Sequence, residues 1–178
     1  TKEQAEAVEA EWATRAEVPD HVFKMLKTMP KETHPMTLLS QAVLALQVDS
    51  VFARKYHEMK KDAYWVAALE DSLNLPARLP VIAAFIYRMK FFGETKKPKY
   101  NPKLDYGTNF ARMMKVSDKK GYAELIRLYF IIHSDHESGN VSAHTMHLVG
   151  SALSDPYLAF SAALNGLAGP LHGLANQE

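Results

Sequence analysis

Apolar residues recur along most of this chain at the three-to-four-residue spacing that lines one face of an α-helix. In the first fifteen residues Ala5, Val8 and Trp12 share such a face, and Thr1 is placed to cap it. Pro19 can open a second helix at its first turn, with Val22, Met25 and Leu26 on one side. Pro35 does the same for a helix over residues 34–47, whose apolar face is Leu38, Leu39, Val43 and Leu46. Two more helices are predicted over residues 51–60 and 64–73. Pro76 and Pro80 then punctuate the chain before an apolar helix over about 81–92.

Residues 93–106 read as a loop, with a glycine, two prolines and Lys96, Lys97, Lys99 and Lys103. A solvated connection is the simpler account of those lysines; a patch that attracts anionic substrates is the alternative. A short helix follows over 109–115. Ser117 and Asp118 are placed to cap a longer one, with Tyr122, Leu125, Ile126, Tyr129 and Ile132 as its buried stripe. The last two helices span 142–153 and 156–166, the latter with Ser154 as cap, Asp155 beside its positive end and Pro156 in its first turn. Both are rich in small residues and nearly uncharged after His147, which predicts burial on most sides, in a helical core or at a subunit interface. No useful β alternation, repeat or low-complexity tract interrupts this pattern. The class is all-α.

Composition changes this picture little. The chain has 178 residues, 47% hydrophobic and 23% charged, which is ordinary for a globular protein. A formal net charge of +1 creates no field that would draw the molecule to nucleic acid or to a membrane surface. The absence of cysteine excludes disulfides and thiolate metal sites. No apolar run of transmembrane length or signal-peptide pattern is read from the sequence. The chain opens without methionine and closes within a stretch that reads as helix, so it is expected to be an internal piece of a longer protein.

Candidate chemistry gathers near the C-terminus, where five of the eight histidines lie between His133 and His172. His21, His34 and His57, scattered among charged residues, read as surface or hydrogen-bonded structural histidines. His144 and His147 read the same way, one turn apart on a nearly apolar helix. The pairs His133/His136 and His144/His147 stand at the i,i+3 spacing of shared helix-face ligands, yet the order His-x-x-His-Glu matches no zinc-protease pattern, and no metal site is assigned.

His172 is the strongest catalytic candidate. It follows the Gly169-Pro170 turn signal and is predicted to open a helix running to Glu178. Unpaired amides and the helix dipole would disfavour its imidazolium there. A neutral imidazole N–H can donate a hydrogen bond to a carbonyl oxygen on which charge develops. Gly173 beside it would leave room for a substrate to approach the backbone.

Four long stretches raise the specificity of this reading. They are residues 133–137 (HSDHE), 139–145 (GNVSAHT), 148–157 (LVGSALSDPY) and 165–178 (NGLAGPLHGLANQE). Together they resemble citrate synthases of the mitochondrial type. Weaker similarity at Glu11-Trp12-Ala13, His34-Pro35-Met36 and Asn109-Phe110-Ala111 extends the likeness along the whole chain, over the middle of the family's length.

The resemblance implies an all-α homodimer that condenses acetyl-CoA with oxaloacetate and water to citrate and CoA. No cofactor is implied, since the CoA thioester is a substrate. Residues 1–178 would be the central part of the large helical domain, with the rest of that domain and the small domain absent. His172 matches the histidine that hydrogen-bonds the thioester carbonyl, and His136 the one that binds oxaloacetate. Asn140 falls at a site-lining, oxaloacetate-binding position, and Ser142 at one that orients the catalytic histidine. The helices over 1–15, 34–47, 142–153 and 156–166 resemble those that pair across the dimer. The base (an aspartate), a second catalytic histidine, the arginines that clamp oxaloacetate and most of the CoA loop would lie beyond Glu178. The implied compartment is the mitochondrial matrix. Ser138 stands where the family usually has glycine, which bears on the turn that carries His136. A 2-methylcitrate synthase using propionyl-CoA, and a non-catalytic helical dimerisation module, are the alternatives.

Overall fold

The structure is a computed structural model. It describes all residues except Asp118, residues 135–138 and Glu178, and leaves undescribed the side chains of Lys120, Asn176 and Gln177. The described residues form α-helices joined by turns and short 3-10 segments: α1 (Lys2–Arg15), α2 (Asp20–Thr28), α3 (Pro35–Leu46), α4 (Val51–Lys55), α5 (Tyr64–Phe92), α6 (Tyr106–Met114), α7 (Lys120–Ile132), α8 (Val141–Ser151) and α9 (Pro156–Leu167). The all-α class is as read. The chain divides into two compact units: Thr1–Val18 with Pro76–His136, and Pro19–Leu75 with Glu137–Glu178.

In the first unit, α1 starts with a capping box, in which the Thr1 hydroxyl accepts from the Gln4 amide while the Gln4 side chain serves the Thr1 backbone. Trp12 reaches Tyr106, ring centroids 5.0 Å apart, and Phe130 meets both Tyr106 (5.6 Å) and Phe110 (5.5 Å). Helices α6 and α7 pack where Gly107 touches Arg127. A Cβ on Gly107 would come within 2.6 Å of Arg127 Cγ. Val81, Ile82, Ala84, Phe85 and Ile86 of α5 supply most of the remaining core.

The expected break at the prolines does not occur. Pro76 and Pro80 lie inside the single 29-residue helix α5. Pro80 has no N–H to give the Pro76 carbonyl, the bond that an i→i−4 ladder would make. The Tyr106 hydroxyl supplies it, donating to Pro76 O at 2.8 Å. Burial pushes the Tyr106 phenol well above its usual range, so the proton needed for that bond stays in place.

The lysine-bearing connection is held from within. Asn109, fully buried, donates from Nδ2 to the Asn101 and Leu104 carbonyls and accepts from the Asn101 amide. Helix α6 begins at Tyr106, three residues earlier than predicted, because Asp105 caps it through the Thr108 amide. Lys119, not Ser117, is the N-cap of α7, although Ser117 Oγ accepts from the Lys119 amide; Asp118 lies outside the described residues. The predicted α7 stripe is corrected more sharply. Leu125, Tyr129 and Ile132 are each more than half exposed within the chain, as are Leu128 and Ile131. Their helical spacing marks an apolar face that the described residues leave largely open, apart from the His133 ring stacked on Tyr129.

In the second unit, Val22, Phe23 and Leu26 of α2 lie against α3, and α3 packs on α9. Pro19 is the N-cap of α2 rather than its first residue. At the α3–α9 crossing two buried serines face each other, Ser40 Oγ and Ser161 Oγ 2.8 Å apart, with Ser161 Oγ also donating to Ser40 O. Asp71, fully buried, accepts from the Ser50 hydroxyl and from the Val51 and Phe52 amides, capping α4. The predicted helix over 51–60 is α4 followed by a 3-10 turn at Tyr56–Glu58. By length and composition the stretch Pro35–Glu58, which holds an 18-residue window of mean hydropathy 1.4, is apolar enough to cross a membrane, which corrects the reading that no run reaches that length. It breaks at Ser50, however, and Leu38, Ala42, Val43 and Leu46 are buried in this unit, the pattern of a core helix.

The cap of α9 is Asp155 rather than Ser154. Its Oδ1 accepts from the Tyr157 and Leu158 amides while Oδ2 accepts from Gln47 Nε2 at 2.7 Å, and Pro156 sits at the first helical position as expected. Helix α9 buries Tyr157, Ala159, Ser161, Ala163 and Leu164. Helix α8, expected to be covered on most sides, buries no residue in the chain alone, and Val141 and Leu148 are more than half exposed.

Candidate functional site

The site is built on the α8–α9 pair and the turn after α9. The two helices approach closely at Gly166, where a Cβ would meet Val141 Cγ1 at 3.3 Å, Thr145 Oγ1 at 3.4 Å and Ser142 Cα at 3.6 Å. Gly166 therefore lets the first turn of α8 lie on the last turn of α9. Beyond α9 the chain doubles back: the amides of His172 and Leu174 both donate to the Gly169 carbonyl. Gly173 closes this turn. A Cβ there would stand 2.6 Å from Leu167 Cδ1 and 2.7 Å from Leu167 O, closer than atoms approach. Gly173 thus serves the contact with Leu167.

His172 lies in this turn, ahead of a five-residue 3-10 segment, Gly173–Gln177. Among the described residues this segment replaces the predicted α-helix, so His172 does not stand at an α-helix N-terminus. What holds the ring is a side chain. His172 Nε2 lies 2.9 Å from the Ser142 hydroxyl in the first turn of α8. Ser142 Oγ in turn donates to Asn140 Oδ1 at 2.8 Å, and that oxygen also accepts the Ala143 amide at 2.9 Å as the N-cap of α8. All three side chains are half-buried.

The structure therefore brings His172, Ser142 and Asn140 together. His136, and Ser138 beside it, lie outside the described residues. Sequence reading placed Ser142 by resemblance alone. No local signal shows that a serine thirty residues before a histidine will meet it, because the meeting depends on the Gly166 crossing and the Gly173 turn.

The other histidines have local roles. His34 Nδ1 accepts the Met36 amide and caps α3, and His21 Nε2 lies 2.7 Å from the Ala45 carbonyl. The His133 ring stacks on Tyr129 at 4.0 Å, with Nδ1 2.8 Å from the Tyr129 carbonyl. His144 and His147 are exposed on α8. The lysines at 96, 97, 99 and 103 are exposed as well.

Comparison with known proteins agrees over the whole chain. The family model for the citrate synthase C-terminal domain matches residues 1–178. The chain is 55% identical over 179 residues to "Citrate synthase 4, mitochondrial" of Arabidopsis thaliana, an alignment that covers 100% of this chain and 37% of that protein. It is 55% identical to the mitochondrial citrate synthase of Daucus carota, with coverage of 100% and 38%. Among solved structures, citrate synthase from Pyrobaculum aerophilum superposes with a TM-score of 0.85 at 29% identity, covering 99% of this chain and 44% of that one. The chain thus spans well under half the length of these relatives. On a match that runs from its first residue to its last, the chain belongs to the citrate synthase family.

Proposed function

We propose that the protein carrying this chain is a citrate (Si)-synthase of the mitochondrial matrix, condensing acetyl-CoA with oxaloacetate and water to give citrate and CoA. The observation that carries this reading is the His172–Ser142–Asn140 constellation, in a chain that shares 55% of its residues with relatives named mitochondrial citrate synthases.

The chemistry follows from the substrate. The methyl group of a thioester is a weak carbon acid, and removing its proton throws negative charge onto the carbonyl oxygen. Catalysis requires a base and, at that oxygen, a hydrogen-bond donor held in place beforehand. In this reading His172 is the donor. Its ring is held on one edge by Ser142, which leaves the Nδ1 edge for the thioester carbonyl. The enol(ate) carbon then attacks the keto carbon of oxaloacetate, which His136 binds. Hydrolysis of the resulting citryl thioester releases CoA. The proton-abstracting aspartate, a second histidine and the clamping arginines belong to parts of the family's fold not in this sequence, and no Asp or Arg of this chain is given those roles.

Residues 1–178 are, on this reading, the central part of the large helical domain, and the protein is a homodimer. The exposed apolar side chains of α8, a helix with no buried residue in the chain alone, support a partner subunit there. The test is turnover by the full-length protein. Citrate and CoA formation with acetyl-CoA clearly preferred over propionyl-CoA supports the reading. A preference for propionyl-CoA would make it a 2-methylcitrate synthase. Failure to turn over either thioester would leave a non-catalytic helical module.

A further inference from the structure

We infer that Asn140 acts on His172 through Ser142, and that it determines which ring nitrogen carries the proton in the resting protein. Asn140 Oδ1 is fixed as an oxygen by its position, since it accepts the Ala143 amide as the cap of α8. Turning the amide group over would set an N–H against that N–H. The same oxygen lies 2.8 Å from Ser142 Oγ. Two oxygens at that distance must share a hydrogen, and an amide oxygen has none to give. The Ser142 hydroxyl proton therefore points to Asn140. A hydroxyl has one proton, so at the remaining contact, 2.9 Å from His172 Nε2, Ser142 Oγ can only accept. The hydrogen of that bond comes from the ring. The resting neutral form of His172 is then the Nε2–H tautomer, with a lone pair at Nδ1.

This gives Asn140 a positioning role distinct from contact with oxaloacetate. Its consequence for catalysis rests on the citrate synthase reading; the tautomer does not. To donate from Nδ1, neutral His172 has to move its ring proton from Nε2 to Nδ1 by exchange with solvent. The Ser142 hydroxyl has to turn from Asn140 to Nε2 to support that form. Asn140 competes with His172 for one serine proton, and so holds the ring in its resting form until a carbonyl oxygen rewards the change.

The test is 15N NMR of the histidine rings in the full-length protein without substrate, at a pH where His172 is neutral, with the His172 signals identified by their loss in His172→Ala. The expected pattern is a protonated Nε2 and an unprotonated Nδ1. Asn140→Asp, which keeps an accepting oxygen at both contacts, should preserve it. Asn140→Ala should raise the share of Nδ1–H, because the freed Ser142 hydroxyl can donate to Nε2. A proton on Nδ1 in the unmodified protein would overturn the inference. So would an Asn140→Ala spectrum unchanged from the parent, and more so if oxaloacetate binding were lost in that variant, which would make Asn140 a substrate contact. Failure of the full-length protein to form citrate from acetyl-CoA and oxaloacetate would instead sink the proposed function and leave the tautomer result standing.

Discussion

The Ser142 hydroxyl oxygen lies 2.9 Å from His172 Nε2, joining the first turn of α8 to the turn beyond α9 across thirty residues of sequence. One side chain thus sets the plane of the imidazole, and a small displacement of a reacting group is costly in rate. Ser142→Ala should lower kcat by on the order of 10²-fold in the full-length protein, with oxaloacetate affinity little changed. Steady-state kinetics beside oxaloacetate titration checks this; loss of oxaloacetate binding without loss of kcat would show that Ser142 does not act through His172.

Gly173→Ala should damage the same geometry from the backbone side. The added methyl would meet Leu167 O at 2.7 Å, and a carbonyl oxygen cannot swing away as a side-chain end can. A cost of about 1–3 kcal/mol in stability is expected, the usual penalty of overpacking, together with a lower kcat as His172 shifts. Denaturant unfolding and turnover should move together. Unchanged values in both would mean that the turn opens freely.

Tyr106→Phe removes the proton that the Pro76 carbonyl accepts in α5 and leaves that carbonyl without its donor. The predicted loss of stability is about 1–3 kcal/mol. Pro80→Ala restores a backbone N–H at the position that should serve Pro76 O, so Tyr106→Phe should cost less in that background. A double-mutant cycle measured by unfolding tests this coupling directly. Strict additivity would deny the link between the tyrosine and the prolines.

Acid stability should carry a contribution from Asp105. Burial by itself would raise its carboxyl, but the bonds from the Thr108 hydroxyl and amide, and then Arg127, outweigh it and hold the group below the usual carboxylate range. Arg127 Nη1 stands 3.2 Å from Oδ2. A carboxyl depressed in the folded state stabilises the fold above its unfolded pKa, and that contribution fades as pH falls through the folded value. Asp105→Asn should therefore lower stability at neutral pH and flatten the acidic limb, the two proteins converging as pH falls through the folded value. An acidic limb as steep as the parent's would contradict this.

Much of the fold was legible because helical period and end signals are local. Thr1, Pro35 and Pro156 mark helix starts, and Leu38, Val43 and Leu46 mark a core face that the structure buries. The misreadings share one cause. Pro80 should stop a helix unless a distant group serves the Pro76 carbonyl that it orphans, and Tyr106 is thirty residues from Pro76. Leu125, Tyr129 and Ile132 have the spacing of a buried stripe, yet burial depends on what lies against them. The chemistry followed the same rule. His172 stood out by its place after a Gly-Pro turn, whereas its partner Ser142 was legible only by family resemblance, because the two meet only once α8 packs on α9.

In the proposed reaction His172 supplies the hydrogen bond on which thioester enolisation depends. The most direct measurement is CoA release from acetyl-CoA and oxaloacetate by the full-length protein and by His172→Ala. The variant's kcat should be lower by about 10²–10³-fold, the usual loss on removing one donor to a developing oxyanion, with oxaloacetate still bound. A variant that turns over at a near-normal rate would contradict it and leave His172 a structural residue.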